Sequence, residues 1–249
     1  MASLTVIILT KNESRHIAQC LQSAEGADEL LIIDDYSDDD TKILAEKAGA
    51  RVISNKLVDF SEQRNFALAR ASGDWVFYLD ADERLSRELM ASIRRHMAQS
   101  PDCAGSAIRR NYAFGQRHRF GPLKPDRVIR LFDKTSVHWE GRIHERPVFR
   151  GEVKTLGFLS HLTYHSWGQY LEKQYRYAGA WADEAAAKGK KGTPLRAVFR
   201  ATAGFFKMFI LNLGILGGPA SWALCWYHGA YTLTKYLKLS ELTKTARSD

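Results

Sequence analysis

The stretch FYLDADE, residues 77–83, decides how this sequence is interpreted. Five apolar residues, 75–79, lead directly into Asp80, Asp82 and Glu83. An uninterrupted apolar run is typical of a strand that is buried on both faces of a sheet. Three neighbouring carboxylates repel one another. The pattern therefore predicts that a buried strand ends here and that another group compensates the negative charge.

Strand and helix patterns alternate through the first hundred residues. Apolar runs predict four strands, at residues 4–10, 29–35, 51–54 and 74–82. Four helices are expected between and after them, the first capped by Ser14 and the last by Ser86, while Gly49 and Gly73 end the second and third. This alternation predicts an α/β fold, with a mainly parallel sheet and helices on both faces.

Composition narrows the class of protein. The chain has 249 residues, 45% of them hydrophobic, and a formal net charge of +8. The positive charge favours an anionic partner, such as a nucleotide, a nucleic acid or an acidic membrane. Three widely spaced cysteines fit reduced thiols. Since the N-terminus has neither a basic segment nor a long apolar one, we expect no signal peptide and a cytoplasmic protein.

The polar clusters fall at the predicted carboxyl ends of the strands, where open parallel sheets bind ligands. In an extended chain, Asp80 and Asp82 project to the same side. Two carboxylates on one side suit a hard divalent cation, Mg²⁺ or Mn²⁺, which also binds phosphate oxygens. The alternative is a solvated acidic loop that caps the next helix. We expect the cation, because further acids follow the second strand.

Those further acids are Asp34 and Asp35, which can accept hydrogen bonds from a nucleobase imide or from ribose hydroxyls. The alternative for such residues is an Asx turn or a helix cap, a role that we assign to Asp38 or Asp39. Arg64, on the helix before the fourth strand, can reach a phosphate, although a solvated arginine is the simpler interpretation for it alone.

The motifs VIILTKNE, LLIIDDYSDDDT and QRNFALARASGDWVFYLDADE resemble, in order and spacing, the nucleotide-sugar half of family-2 glycosyltransferases. The resemblance covers about residues 3–100 and implies the GT-A fold. It also implies that Asp80 and Asp82 bind a divalent metal and the nucleotide diphosphate of a UDP-sugar. Thr10, Asn12, Glu13, Asp34 and Asp35 are the implied nucleoside contacts. The sequence departs from the family at Tyr36, where glycine is common.

The downstream motifs RVIRLFDKTSVHWEGRIHERP and HLTYHSWGQYLEKQYRYA resemble a narrower subgroup, the bacterial lipopolysaccharide core β-1,4-glucosyltransferases. This resemblance implies glucose transfer to the inner-core heptose of a glycolipid, at the cytoplasmic face of the inner membrane.

Inversion at the anomeric carbon needs one base that deprotonates the acceptor hydroxyl. Candidates follow in HWEGRIHE: Glu140, His144 and Glu145. We favour Glu145, with His144 orienting it or binding metal, although a loop glutamate is most often merely solvated. Two histidines and two arginines are further candidates for the diphosphate or an anionic acceptor: His161, His165, Arg127 and Arg130.

The C-terminal third is basic and apolar. We expect a GT-A domain over 1–167, with nucleotide-sugar and acceptor halves at 1–100 and 101–167, and a helical region over 168–249. Residues 208–233 contain no charged side chain, and Gly217-Gly218-Pro219 should interrupt a helix there. Two apolar helices lying on the cytoplasmic leaflet fit this pattern, with the preceding lysines and arginines on anionic head groups. The alternative is a pair of helices packed on the domain.

Three other functions compete with hexose transfer. A nucleotidyltransferase usually carries a glycine-rich loop after the first strand, but TKNESRH contains no glycine. A haloacid-type phosphatase carries its paired aspartates after the first strand rather than the fourth. A nucleic-acid-binding protein is disfavoured, because the basic residues accompany an apolar segment.

Overall fold

The computed structural model describes residues 2–100, 102–141 and 145–245. Contacts divide the chain into two compact units. The first comprises residues 1–109 and 126–161, and the second comprises 110–125 and 162–249. A single boundary at residue 167 is expected from the sequence, whereas the contacts also group the segment 110–125 with the C-terminal helices.

The first unit begins with the alternation that the sequence predicts. Its elements up to residue 99 are β1 (Leu4–Thr10), α1 (Ile17–Ser23), β2 (Glu29–Asp34), α2 (Thr41–Lys47), β3 (Arg51–Ser54), α3 (Phe60–Arg70), β4 (Trp75–Tyr78), β5 (Glu83–Leu85) and α4 (Arg87–Gln99). The remaining strands are β6 (Ala104–Ala113), β7 (Gln116–Arg117), β8 (Asp126–Asp133), β9 (Val137–Glu140), β10 (Arg146–Phe149) and β11 (Val153–Tyr164). Of these, β7 and the ends of β6 and β11 belong to the second unit.

The main sheet has the strand order β3-β2-β1-β4-β8-β6-β11-β5. The strands β1 to β4 pair in parallel, but β8 is antiparallel to β4 and to β6, and β5 is antiparallel to β11. The parallel pairing predicted from the first hundred residues is therefore confirmed, and the antiparallel strands that follow make the whole sheet mixed. Antiparallel strands need no crossover helix, which is why the helix pattern stops near residue 100.

Two apolar clusters lie on opposite faces of this sheet. Alternate residues of β1 divide between them, with Val6 and Ile8 in one cluster and Ile7 in the other. The first cluster includes buried residues of α1, α2 and α4, and the second includes Ala67 of α3 and Trp139 of β9. The helices thus cover both faces, as predicted, and every residue of β1 is buried except Leu9, which is partly buried.

Three local predictions need correction. Helix α1 begins at Ile17 rather than at Ser14, whose N–H donates to Asp39 instead. Strand β4 ends at Tyr78, and Glu83 N donates to Asp80 O at 2.8 Å, so the aspartates lie in a tight turn and not in extended chain. Helix α3 ends at Arg70, before Gly73. The predicted cap of α4 is confirmed, because Ser86 Oγ accepts from Leu89 N.

The second unit is mostly helical. Its helices are α5 (Trp167–Ala187), α6 (Pro194–Phe206) and α7 (Gly218–Thr245). Phe114 stacks on Trp167 with ring centroids 3.9 Å apart, which ties the segment 110–125 to the start of α5. Gly121 N also donates to Asn212 O. The predicted interruption near Gly217 is present, as a π-helical turn (Lys207–Leu211) and a 3₁₀ turn (Gly214–Gly217) that separate α6 from α7.

No single helix in the described part of the chain is long and apolar enough to cross a membrane. One pair of segments, Pro194–Leu211 and Gly214–Lys244, passes the length and composition criteria together, with a bend of 66° between them.

Candidate active site

The loops after β1 and β2 are joined side by side. The parallel register pairs Thr10 with Asp34, so both strands end at the same level. Beyond them, Lys11 Nζ donates to the carbonyls of Asp35 and Tyr36, and Asn12 N donates to Ser37 Oγ at 2.9 Å. The predicted nucleoside residues therefore come together at the carboxyl edge of the sheet.

Asp34 departs from its predicted role. Its side chain is fully buried, accepts from Thr10 Oγ1 at 3.0 Å, and accepts from both the N–H and the hydroxyl of Ser37. The loop donates three hydrogen bonds to this carboxylate and leaves it with no exposed surface, so we correct the expectation that it contacts a nucleoside directly. It performs the turn-stabilising role that we assign to Asp38 or Asp39, and Asp39 shares that role by accepting from Thr41 N.

The other residues of this edge remain accessible. Asp35 is half-buried, and its Oδ1 accepts from Leu57 N at 3.0 Å. Asn12 is exposed and accepts from Asp38 N. Tyr36 has φ 49°, in the left-handed region that favours glycine. This backbone requirement explains why glycine is common at this position in the family that the sequence resembles.

The acidic turn after β4 is held by one buried guanidinium. Arg130 of β8 is 6% exposed, and its Nη2 donates to Asp80 Oδ2 at 2.5 Å and to Glu83 Oε1 at 2.8 Å. Glu83 is fully buried, and Arg109 Nη1 lies 3.5 Å from the same oxygen. Thus Glu83 is compensated by arginines of β6 and β8. Because Arg130 already binds Asp80 and Glu83, it is not available to bind a phosphate, which is one of the roles that the sequence suggests for it.

These neighbours shift the ionisation of the cluster. Desolvation opposes ionisation of Asp80, but Arg130 and then Arg64 outweigh it and lower its pKa from 3.8 to about 2. Burial raises the pKa of Glu83, against the attraction of Arg130, and the charge of Asp80 adds to the rise. Because the pKa of Asp80 is depressed, its pairing stabilises the fold fully above pH 3.8 and is lost as the pH falls towards about 2.

Asp82 faces a different partner. The antiparallel pairing of β5 with β11 places His161 opposite Glu83, and His161 Nε2 lies 3.2 Å from Asp82 Oδ2. Arg84 fixes the intervening backbone, since its Nη1 donates to the carbonyls of Ala81 and Glu83. The turn thus holds the backbone on both sides of Asp82. Among the residues that the structure describes, no arginine forms an ion pair with the Asp82 carboxylate.

The protein side chains at this turn supply only some of the ligands that a divalent cation needs. In the described ranges, no group of three or more His, Cys, Asp or Glu side chains is arranged to hold a metal ion. Magnesium in enzymes is usually held by one or two carboxylates together with substrate phosphates and water. Asp82, with Asp80 beside it, supplies that smaller set, so the residues present fit a cation that is shared with a diphosphate.

Arg64 connects this turn to the predicted base. Its Nη2 lies 4.0 Å from Asp80 Oδ1 and 3.8 Å from Glu145 Oε1, and its guanidinium lies over the ring of Trp139. The side chain is buried, and desolvation lowers its pKa, against the attraction of Asp80. Arg64 is thus a bridge between two carboxylates rather than the solvated helical arginine of the simpler interpretation.

The two candidate glutamates occupy different surroundings. Glu140 is half-exposed on β9, where its Oε1 lies 3.0 Å from His138 Nε2 and its Oε2 lies 3.9 Å from Arg146. Glu145 retains 26% side-chain exposure and faces Arg64. The geometry favours Glu145 over Glu140 as the group beside Asp80. His144 lies outside the described residues.

Asn65 of α3 holds β9 in place below this site. Its amide donates to Trp139 O at 2.8 Å, and its Oδ1 accepts from Trp139 N at 2.9 Å. The sequence motif QRN contains both Arg64 and Asn65, but spacing alone does not reveal that one bridges carboxylates while the other binds a backbone. From the charge of residues 80–83 we expect a divalent metal ion, and that signal does not identify the buried partners Arg109 and Arg130.

Sheet order and site together define an α/β protein whose carboxylates line the carboxyl ends of β1, β2 and β4. The sequence model of the family described as glycosyl transferase family 2 matches residues 5–149. Since this match covers more than half of the chain, the protein belongs to glycosyltransferase family 2. Membership in this family disfavours the nucleotidyltransferase and phosphatase alternatives.

Several known proteins are similar to this chain. An uncharacterized glycosyltransferase of Rickettsia typhi is 30% identical over 229 residues, which cover 85% of this chain and 78% of that protein. The lipopolysaccharide core biosynthesis glycosyltransferase LpsC of Rhizobium meliloti is 26% identical over 219 residues, 84% of this chain and 81% of that protein. Among solved structures, glucosyl-3-phosphoglycerate synthase of Mycobacterium tuberculosis, in complex with Mn²⁺ and UDP, aligns with a TM-score of 0.45 and 17% identity over 65% of this chain and 72% of that one.

Replacing Arg130 tests the buried cluster. In Arg130→Met, Glu83 and Asp80 lose their shared cation, and we expect the free energy of unfolding in urea to fall by about 3–5 kcal/mol. Arg127→Met, on the same strand but with an exposed side chain bonded to Ser106 Oγ and Val153 O, should cost about 1 kcal/mol. Adding Glu83→Gln to Arg130→Met should restore part of the loss. Equal effects of the two arginine variants would contradict this account.

Proposed function

We propose that the protein is an inverting hexosyltransferase that moves glucose from a UDP-sugar to a lipid-linked saccharide, the heptose of the lipopolysaccharide inner core. The observation that carries the reaction type is the Asp80–Arg64–Glu145 bridge, which holds a candidate base beside the candidate diphosphate carboxylates. The acceptor rests on the likeness to LpsC, which is a lipopolysaccharide core biosynthesis glycosyltransferase.

In this proposal, the accessible edge residues Asn12, Glu13 and Asp35 bind the nucleoside, while Asp34 and Thr10 keep their loop in shape. Asp82, with Asp80, would hold the divalent cation, which would neutralise charge on the departing diphosphate. Glu145 takes the proton of the acceptor hydroxyl as its oxygen attacks the anomeric carbon, and the bond from that carbon to UDP breaks. Arg64 orients Asp80 and Glu145 relative to each other.

Donor and acceptor are tested together. Purified protein, incubated with a glycolipid acceptor that ends in heptose, should release UDP from UDP-glucose and give a product heavier by one hexose in mass spectrometry. Saturation-transfer NMR against a panel of nucleotide sugars identifies the donor. Turnover of a nucleoside triphosphate with release of pyrophosphate would instead support a nucleotidyltransferase.

The cation assignment is tested at Asp82. Asp82→Asn removes one charged ligand and should abolish nearly all transfer while the protein keeps its wild-type melting temperature. EDTA should inactivate the wild type, and added Mn²⁺ or Mg²⁺ should restore activity. Asp38→Asn, an exposed aspartate in the loop after β2, is the matched control and should retain activity. Full activity of the wild type in EDTA would refute the assignment.

The base is tested with the two glutamates of the same loop region. Glu145→Gln should leave UDP-sugar affinity almost unchanged but lower kcat by about 10²–10⁴, the usual contribution of a general base. The carboxylate of Glu140 faces His138 and Arg146 instead. Glu140→Gln should therefore keep kcat within a few-fold of the wild type. The reverse result would move the role of the base to Glu140.

Membrane contact is the remaining part of the proposal. The second unit exposes large apolar side chains on α6, α7 and the turns between them, including Leu195, Phe199, Leu211 and Trp226. Lysines and arginines of the region from 188 to 207 accompany them, and each basic residue near an anionic surface contributes about 1 kcal/mol. A protein bound to the membrane surface would find its lipid-linked acceptor by diffusion in the plane of the membrane.

Phe199, which is 70% exposed, provides the test of that contact. The intact chain should sediment with anionic vesicles, and high salt should weaken this binding without abolishing it, because apolar burial is not screened. Phe199→Ser should weaken it about 10- to 100-fold, since burying such a side chain contributes about 1.5–3 kcal/mol. Val58→Ser, an equally exposed apolar residue of the first unit, should not. An intact chain that stays in the supernatant at low salt would contradict the proposal.

A further inference from the structure

The helices α6 and α7 carry basic residues at a repeated spacing, in a part of the chain without acids. Residues 185–240 contain eight lysines and arginines and no Asp or Glu. Arg200 and Lys207, on α6 and at its end, are seven residues apart, and so are His228 and Lys235 on α7. Seven residues are two helical turns, so the two members of each set lie on one side of their helix, about 10 Å apart. These residues belong to the second unit, and the proposed reaction uses none of them.

The two helices meet in reverse order along the chain. Near the start of α6, the Arg196 guanidinium lies 5.9 Å from the ring centroid of Tyr236, late in α7. At the end of α6, the ring centroid of Phe205 lies 4.6 Å from that of Trp226, early in α7. Residues further along α6 therefore contact residues nearer the start of α7.

This order brings the four basic residues together in two pairs. A Cβ added to Gly204 would lie 3.7 Å from His228 Cδ2, and Lys207 follows Gly204 by one turn. By the same order, Arg200 lies beside Lys235. The ionisation agrees, because burial and then Lys235 and Lys207 lower the pKa of His228, and burial and then Arg200 lower that of Lys235. We call Arg200 with Lys235, and Lys207 with His228, the two basic pairs.

The positive charge of these pairs is not balanced by carboxylates. Among the described residues, the charged groups that shift the pKa of His228 and Lys235 are all cations. Lys235 is half-buried and lies 4.7 Å from the ring centroid of Trp181, which stabilises its charge without neutralising it. Arg200 and Lys207 are exposed and so open to a ligand. Because like charges held close together repel one another, an anionic ligand would stabilise this arrangement.

Two basic pairs about 10 Å apart fit two anionic groups of one ligand. Arginine and lysine donate charge-assisted hydrogen bonds to phosphate oxygens, and a histidine N–H is a further donor. We propose that the two basic pairs bind a molecule that carries two phosphate groups separated by a spacer, one phosphate on each pair. A soluble bisphosphate and a lipid with two phosphates both offer this chemistry.

The basic pairs are distinct from the apolar surface of the same helix. Helical periodicity places Arg200 and Lys207 on a different side of α6 from Leu195, Phe199 and Phe206, which are the exposed apolar residues there. The proposal therefore does not rest on the proposed membrane contact.

The first experiment tests a soluble ligand by calorimetry on the intact protein, with UDP added to occupy the donor site. Fructose 1,6-bisphosphate, in which a sugar separates two phosphates, is compared with glucose 6-phosphate at equal ionic strength. The bisphosphate should bind about 10- to 100-fold more tightly, the range expected when a second charge-assisted hydrogen bond is added.

The second experiment tests a lipid ligand by vesicle flotation. Phosphatidylcholine vesicles contain either cardiolipin, which carries two phosphates in one molecule, or phosphatidylglycerol, which carries one, at equal surface charge. Binding that is at least about tenfold tighter to cardiolipin would assign the basic pairs to a lipid, by the same second hydrogen bond. A preference for two phosphates in calorimetry alone would assign them to a soluble ligand. Equal binding in both comparisons would overturn the proposal.

Two variants then locate the preference. Arg200→Gln and Lys207→Gln each leave one basic pair incomplete, and each should lower the affinity for the two-phosphate probe to that for the one-phosphate probe. The melting temperature of Arg200→Gln without ligand should equal or exceed that of the wild type, since this exposed charge repels Lys235. Lys190→Gln removes an exposed charge of the same acid-free stretch and should keep the preference. A preference that persists in both pair variants would overturn the assignment.

These measurements are separate from those of the proposed function. Transfer from UDP-glucose does not enter them, so a wrong donor or acceptor leaves their outcome unchanged. If the intact chain binds neither kind of vesicle, the proposed membrane contact fails, and calorimetry with the soluble probes still decides whether the basic pairs bind two phosphates.

Discussion

The buried guanidinium of Arg130 is the interaction on which the site depends. Glu83 is fully buried, and a carboxylate in that position requires a cation at hydrogen-bond distance. Arg130 supplies it from β8, the first antiparallel strand of the sheet, and binds Asp80 with the same nitrogen. The acidic turn is thereby fixed to the half of the sheet that follows it in the chain. A buried guanidinium of this kind offsets the charge of two carboxylates at the end of an apolar strand.

The first hundred residues were predictable because each element has its own periodic signal. The runs at 4–10 and 51–54 became β1 and β3 with the predicted limits, and Ser86 caps α4 as expected. The antiparallel half was not predictable to the same degree, since its strands mix apolar and polar residues and their pairing depends on distant partners. The turn at 80–83 was not predicted for a related reason. The hydrogen bond between Glu83 N and Asp80 O that closes it is not indicated by any periodic pattern of apolar and polar residues.

Within the site, the residue types were predicted better than their roles. Arg64 links Asp80 to Glu145 in the first unit, and Asp82 follows Asp80 in the same turn. The role of Asp34 changed, because a carboxylate beside Thr10 and Ser37 is satisfied by its own loop. Sequence spacing places a carboxylate at a strand end, but it does not say whether neighbouring donors have already used its oxygens. Burial decides that question, and burial is a property of the folded chain.

The segment 110–125 has a consequence for how the polypeptide is made. It contains the end of β6 and the short strand β7 and then leads to β8. The partners of Phe114 and Gly121, which are Trp167 and Asn212, leave the ribosome 53 (167 − 114) and 91 (212 − 121) residues later. During synthesis this loop is therefore exposed until the C-terminal helices follow. A chain shortened to remove α6 and α7 would also strip Gly121 N of its acceptor at Asn212. Shortened forms of this enzyme would therefore expose an incomplete second unit to proteases and chaperones. Point substitutions change the C-terminal helices without removing the partners of the segment 110–125.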